Sequence, residues 1–386
     1  MSDISAFQDA FKTLIEISRD FVKNKVPLQE ENIITAMEMI RKIKEENKYI
    51  HVFGMGRSKL VAITFGELLK NIGFKVSVIG ATLSKPVRKG DLLIAVSSSG
   101  WTNTTCTVTE EALRVGAHVL ALTATPGSKL DRLADLSIYV PGKSAISEAP
   151  YIVRQLMGQH KTPLTPMGTV PETNSVLVGV GITAALREKK EDLKTFSKSL
   201  DLMLNNAENS FRNIMENKDE LIQIIERFSK GFGRETPRYY FVGTGISKIA
   251  GDFTAIRFQH LSLNVLGLDD WRFRSSGDVL IAISGSGEST IPVIYAEEAK
   301  RSNMYVLAFT ANQNSVLYRI SDNRLLFTDI IKRELYEKIR VWDDQINYVP
   351  AFEYAVLITF ESIVAQIAKN HDIGEEYMQN LHANIE

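Results

Sequence analysis

Apolar residues recur at helical spacing over 3–23 and again over 29–47, which predicts two amphipathic helices at the start of the chain. Short apolar runs follow: IHVFG at 50–54, KVSVIG at 75–80, LLIAVS at 92–97, HVLALT at 118–123 and LSIYV at 136–140. Helical stretches separate most of them. Runs of this length, rich in β-branched residues and alternating with helices, are the pattern of strands buried on both faces of a parallel sheet. The same order then returns. Helices are predicted over 196–217 and 218–230, followed by the runs YYFVG, LSLNVLG, VLIAIS, YVLAFT and RLLFT.

The recurrence is literal as well as periodic. HVFGMGRSK at 51–59 matches YFVGTGISK at 240–248, and KGDLLIAVSSSG at 89–100 matches SGDVLIAISGSG at 276–287. EEALRVGAHVLALTAT at 110–125 matches EEAKRSNMYVLAFTAN at 297–312. Gly54 to Gly243 is an offset of 189, and Asp91 to Asp278 and Glu110 to Glu297 are both 187. Three segments in one order at one spacing, near half the length, mean two copies of a whole domain. The predicted fold class is α/β: two tandem three-layer α/β/α sandwich domains, each with a five-stranded, mostly parallel sheet, over 1–195 and 196–386. The least regular stretch, 141–170, is a candidate active-site loop.

Composition narrows the function. The 386 residues carry 45 Lys+Arg against 46 Asp+Glu, a net charge of −1. That balance argues against a nucleic-acid partner and against a protein held on anionic membranes. A single cysteine, Cys106, excludes an intramolecular disulfide and a cysteine-cluster metal site, and fits a cytoplasmic location. No apolar run approaches the roughly 18 residues of a membrane span, and the amphipathic start is not a signal peptide. His51, His118, His160, His260 and His371 show no metal-ligand spacing, so no metal is expected.

Ligands of such sheets bind where strands end and helices begin. Two pairs of turns stand there. Gly54-Met55-Gly56-Arg57-Ser58 and Gly243-Thr244-Gly245-Ile246-Ser247 follow the first strand of each copy. A dinucleotide loop would need a third glycine where Lys59 and Lys248 stand, so a tight strand–helix turn is an equal reading. Ser97-Ser98-Ser99-Gly100-Trp101-Thr102 and Ser284-Gly285-Ser286-Gly287-Glu288-Ser289 follow the third strand run. Three hydroxyls and backbone N–H groups at a helix start suit a dianionic phosphate. A Ser/Gly cluster is also a good helix cap, but recurrence at one topological position favours phosphate. Cys106 reads as a packed thiol. Trp101 either walls the pocket or packs. Asp269-Asp270 lacks the glycine that a ribose-binding acid would accompany.

With these motifs the chain resembles a tandem sugar isomerase (SIS) domain protein, the hydroxyl-rich loop being that family's phosphosugar site. Within it the chain most resembles 6-phospho-3-hexuloisomerases. GMGRS, RQLMGQHKTPLTPMGTVPE at 154–172 and the terminal His382-Ala383-Asn384-Ile385-Glu386 carry that likeness. The resemblance implies interconversion of a 3-ketohexose 6-phosphate and fructose 6-phosphate through an enediol, without metal or organic cofactor. It implies Glu172 as the proton-transferring base and His382 as the group that opens the ring or moves hydroxyl protons. Substrate contacts are expected from Gly56, Arg57, Ser58, Ser97, Ser99 and Thr102. In copy two they are expected from Ser247, Ser284, Ser286, Ser289 and Glu353. The family's four single-domain chains imply a homodimer of this two-domain chain, with a phosphorylated sugar as partner.

The copies depart from the pattern unequally. Ser98 replaces a loop glycine, and Pro171 replaces the Phe before the glutamate. Copy two reads NYVPAFE, without PMGT, and has Ile246 where copy one has Arg57. Asn206 stands where a first terminal histidine would fall. If the C-terminal segment reaches a neighbouring domain, these departures predict one complete site, Glu172 with His382, and a weak or dead one that pairs Glu353 with Asn206. Two alternatives stay open. One is another tandem-SIS isomerase, of the glucosamine-6-phosphate synthase or phosphoglucose/phosphomannose kind. The other is a non-catalytic sugar-phosphate-binding protein.

Overall fold

The computed structural model of the chain describes residues 3–142, 169–328 and 349–381. Most of the irregular stretch 141–170, including Pro166, Met167 and Gly168 of PMGT, lies outside the described residues, as does His382. The chain divides into two compact units.

The first unit holds the described parts of Glu16–Val153 and Gly168–Leu202. Helix α1 spans Ser5–Asp20 and α2 Glu30–Glu45, joined by a short π turn and a 3-10 turn at Pro27. Then come β1 (Ile50–Gly54), α3 (Gly56–Asn71), β2 (Val76–Val78) and β3 (Leu92–Val96). α4 (Asn103–Arg114), β4 (His118–Thr123), α5 (Lys129–Leu133) and β5 (Leu136–Tyr139) follow. The sheet has five strands in the order β2-β1-β3-β4-β5, all parallel. Every residue of β1 and β3 is buried, as strands covered by helices on both faces require. Helix α6 (Thr169–Glu188) is buried along most of its length and packs on α3. A glycine permits that closeness: a Cβ on Gly179 would stand 3.1 Å from the Phe65 ring of α3. On another side of α6, a Cβ on Gly181 would stand only 2.5 Å from Phe196.

The second unit repeats the plan. Helix α7 (Leu193–Glu216) leads to α8 (Lys218–Gly231), β6 (Tyr239–Val242), α9 (Ile246–His260), β7 (Val265–Leu266) and β8 (Val279–Ile283). Next are α10 (Thr290–Arg301), β9 (Tyr305–Thr310), α11 (Val316–Ile320), β10 (Asn323–Leu326), α12 (Ala351–Asn370) and α13 (Glu375–Asn380). The order β10-β9-β8-β6-β7 is that of the first sheet, read from its other edge, and is also all parallel. The strand expected over 261–267 shrinks to two residues. Ser262 adopts φ +53 and the Leu263 N–H returns to Phe258 O, so the start of that run terminates α9.

The opening helices do not simply follow chain order. Met1–Ile15 clusters with Met203–His382, while Leu193–Leu202 of α7 falls in the first unit. Phe7 and Phe11 stack on Phe211, at 6.1 and 4.5 Å between centroids, and the Phe7 N–H donates to Gln366.

The expectation that no segment reaches the length and hydropathy of a membrane span needs correction. α12 reaches both, yet 94% of its apolar window is buried in the protein. Its apolarity is that of a central core helix, and it carries Glu353 and Glu361.

Candidate active site

In a sheet ordered 2-1-3-4-5 the chain reverses direction between the first and third strands, and a crevice opens at their carboxyl ends. Gly54 at the end of β1 is the register partner of Val96 at the end of β3. The GMGRS turn and the Ser97–Thr102 loop therefore leave the sheet side by side at that switch point. The turn needs its glycine on steric grounds. A Cβ on Gly54 would lie 2.7 Å from the Ser58 backbone, and one on Gly243 would lie 2.7 Å from Lys248 N.

The two hydroxyl loops are built alike. Ser97 Oγ accepts from the Gly100 N–H at 3.1 Å and pairs with Thr102 Oγ1 at 3.2 Å. Ser284 Oγ accepts from the Gly287 N–H at 3.1 Å and donates to Ser289 Oγ at 3.0 Å. Ser99 and Ser286 accept from the N–H groups of Trp101 and Glu288, each at 3.2 Å. Gly100 and Gly287 both have φ +66. A Cβ at either would fall about 2 Å from the hydroxyl of Ser128 or Ser315.

A plain capping role for these loops is not what the geometry gives. Thr102 and Ser289 sit at the N-caps of α4 and α10, yet neither side chain caps its helix. Ser128 and Ser315 do cap, accepting from Asp131 N and Tyr318 N. The loop hydroxyls bond one another and the loop's own backbone N–H groups, beside two helix N-termini whose dipoles favour an anion.

Glu172 sits in the first turn of α6, and its side chain is 9% exposed. Its Oε2 lies 2.8 Å from Arg57 Nε, in the first turn of α3. The ion pair offsets the cost of burying either charge alone. In copy two Ile246 replaces the arginine, and the buried Ser247 hydroxyl donates to Glu353 Oε1 at 2.9 Å. The structure thus brings Glu172 to Arg57 and Glu353 to Ser247, each beside the β1-type turn of its own unit.

The remaining expected residues fall around these pairs. Gly56 and Ser99 are exposed, Ser58, Thr102, Ser286 and Ser289 are half-buried, and Ser97 and Ser284 are buried. Cys106 lies beneath the loop, where burial pushes its thiol pKa up and Sγ donates to Gly100 O at 3.6 Å. That is the packed thiol expected. Trp101 is 54% exposed with Arg132 stacked 5.3 Å above its ring, while Glu288 at the matching place accepts from the Val316 N–H.

Sequence reasoning missed a third loop. The Ala124 N–H donates to Ser98 O at 3.0 Å and Thr125 Oγ1 to the same oxygen at 3.2 Å. Ala311 N and Asn312 Nδ2 do the same for Gly285 O and Ser286 O. The repeat of ALTAT as AFTAN past the end of its strand was the available signal.

The SIS domain matches the sequence over residues 42–158 and 234–329, together more than half of the chain. An uncharacterized protein of Aeropyrum pernix is 34% identical over 187 residues, 48% of this chain and 88% of that one. The 3-hexulose-6-phosphate isomerase of Bacillus subtilis is 34% identical over 36% of this chain and 71% of its own. Tagatose-6-phosphate ketose/aldose isomerase from Escherichia coli superposes with a TM-score of 0.62, over 98% of this chain and 96% of that one, at 12% identity. The C-terminal domain of glucosamine-fructose-6-phosphate aminotransferase from Francisella tularensis gives 0.59 over 92% and 96%, at 14% identity. At those identities the two structures share the fold. The doubled sheet, the doubled hydroxyl loop and the matched segments agree: this chain belongs to the SIS domain family and carries the domain twice.

Proposed function

We propose that the chain is a cofactor-independent ketose-phosphate isomerase that interconverts 3-hexulose 6-phosphate and fructose 6-phosphate. The observation that carries the reading is the buried Glu172 carboxylate at the switch point, beside a loop whose hydroxyls do not cap their helix. The 3-hexulose-6-phosphate isomerases among its relatives support the choice of substrate.

In this reading Ser97, Ser99 and Thr102 hold the phosphate, with the N-terminus of α4 behind them. Glu172 takes the proton from C2 of the 3-ketose while the C3 oxygen gains one, leaving a C2–C3 enediol. The same carboxylate returns the proton to C3 as the C2 hydroxyl loses its own, and the carbonyl stands at C2. One base serves both steps because the two carbons are adjacent. His382, outside the described residues, would open the ring or relay hydroxyl protons. Ser284, Ser286 and Ser289 form the second phosphate loop, with Ser247 and Glu353 at its substrate end. The chain acts as a homodimer, which light scattering tests against the mass of one chain.

Exchange in heavy water tests the reaction. Fructose 6-phosphate incubated with the protein gains deuterium at C3 under this proposal. Gain at C1 instead assigns an aldose–ketose isomerase, and binding without exchange assigns a sugar-phosphate-binding protein.

A further inference from the structure

We infer that Arg57 is the positioning residue of Glu172 rather than a ligand of the phosphate; the inference rests on the isomerase reading above. Its guanidinium is buried and its Nε is 2.8 Å from Glu172 Oε2. Both residues are held by rigid backbone. Arg57 is the second residue of α3, whose first turn closes against Gly54 with no room for a Cβ. Glu172 is fixed by α6, which packs along α3 through the contact of Gly179 with Phe65. A buried guanidinium this close to the carboxylate balances its charge and holds it near the end of β1.

Copy two supplies the comparison. It has lost the arginine, yet its hydroxyl loop keeps the same backbone bonds: Ser97 to Gly100 N and Ser284 to Gly287 N are both 3.1 Å. The Leu130 and Leu317 N–H groups likewise donate to Gly100 O and Gly287 O at 3.0 and 3.1 Å. The loop does not depend on the arginine. What changes with it is the carboxylate, which in copy two is held by the Ser247 hydroxyl. Arg57 follows the base, not the phosphate cradle.

The test separates affinity from turnover, using fructose 6-phosphate as probe. Affinity is read by calorimetry and turnover by C3–deuterium exchange. Arg57→Gln is expected to lower kcat by about 10²-fold or more. Affinity should stay within about threefold, whereas losing a charged hydrogen bond to the phosphate costs about tenfold or more. Arg57→Lys, with charge but no fork, should recover part of kcat.

Removing one partner of a buried pair risks the fold, so the uncharged double variant Arg57→Gln/Glu172→Gln carries the same test. It should bind fructose 6-phosphate as Glu172→Gln does, and each single variant should melt below it. Weaker binding by about tenfold in the double variant, or additive losses in melting temperature, would overturn the positioning role. A wild-type protein that neither binds nor exchanges fructose 6-phosphate fails the isomerase reading itself. The melting comparison then still decides whether the two residues act as a pair.

Discussion

Ser247 donates its hydroxyl to Glu353 Oε1 at 2.9 Å, on the helix of copy two that corresponds to the one bearing Glu172. In copy one the neighbouring position, Arg57, is the partner, at 2.8 Å. Duplication has kept a buried carboxylate at the end of the first strand in each unit and exchanged the group that holds it. A hydroxyl orients a carboxylate with one neutral bond, whereas a guanidinium also balances its charge.

That asymmetry predicts unequal kinetics. Glu172→Gln should cost about 10²–10⁴ in kcat, the range for losing a positioned acid–base group, and Glu353→Gln less than about tenfold. A coupled assay of fructose 6-phosphate formation measures both. Equal losses would mean that the two units share the chemistry.

The hydroxyl loops give a binding prediction. Ser99 is exposed, so Ser99→Asp places a carboxylate at the loop without disturbing the core. Like-charge juxtaposition with a phosphate costs several kcal/mol, so calorimetric titration should find sugar-phosphate affinity reduced more than about a hundredfold. Undiminished affinity would remove the loop from the site.

The glycine at the centre of each loop is a stability determinant. Gly100 and Gly287 have φ +66, and any Cβ there meets a capping serine. Gly100→Ala should therefore cost about 1–3 kcal/mol from backbone strain alone, with the steric conflict in addition. Denaturant midpoints read it, and Gly277→Ala is the comparison, since φ +88 there carries strain but no neighbour within 4 Å. Equal losses at the two positions would show that the serine contact contributes nothing.

The strands, the strand–helix turns and the hydroxyl loops were legible because each is a local pattern, and the repeat doubled every signal. Asp91 and Asp278 show why a repeated motif need not be chemical. They accept from the Tyr49 and Arg88 N–H groups and from those of Arg238 and Ser275, and so anchor the start of a strand. The Arg57–Glu172 pair was not legible. Both residues were singled out, but their contact depends on how α3 and α6 pack, and the close approach of Gly179 to Phe65 lies outside either motif. The amphipathic pattern of α1 shows that one face is apolar but not which helices that face meets. Met1–Ile15 accordingly falls in the second unit.

His51 predicts a pH dependence of stability. It is fully buried with Nε2 3.2 Å from Asp91 Oδ2. Burial pushes its imidazole below the ordinary 6.5, and Asp91 opposes this only in part. The unfolded chain therefore takes up its proton at higher pH than the folded one. The contribution is full above about pH 6.5 and is lost as the pH falls through the folded-state value. Urea midpoints of the wild type should drop on acidification in that window, and His51→Gln should flatten the drop. An unchanged slope would assign it to other groups.

The buried pair Arg257–Glu361 is specific to copy two and gives the sharpest test of how the repeats diverged. Nε lies 3.3 Å from Oε2, and both side chains are 1% exposed. Aligning Gly243 with Gly54 for α9, an offset of 189, and Glu353 with Glu172 for α12, an offset of 181, places Leu68 and Val180 at the matching positions of copy one. An apolar pair thus fills in one unit the place an ion pair fills in the other. Breaking a buried pair from one side leaves an uncompensated charge and costs about 3–5 kcal/mol, while replacing both partners by packed apolar groups is often neutral. Arg257→Leu and Glu361→Val should each destabilise the protein by about that amount, and the double variant should recover most of it. Denaturant unfolding of the four proteins closes the cycle. Losses that simply add would show that the two side chains are held by other groups and do not depend on each other.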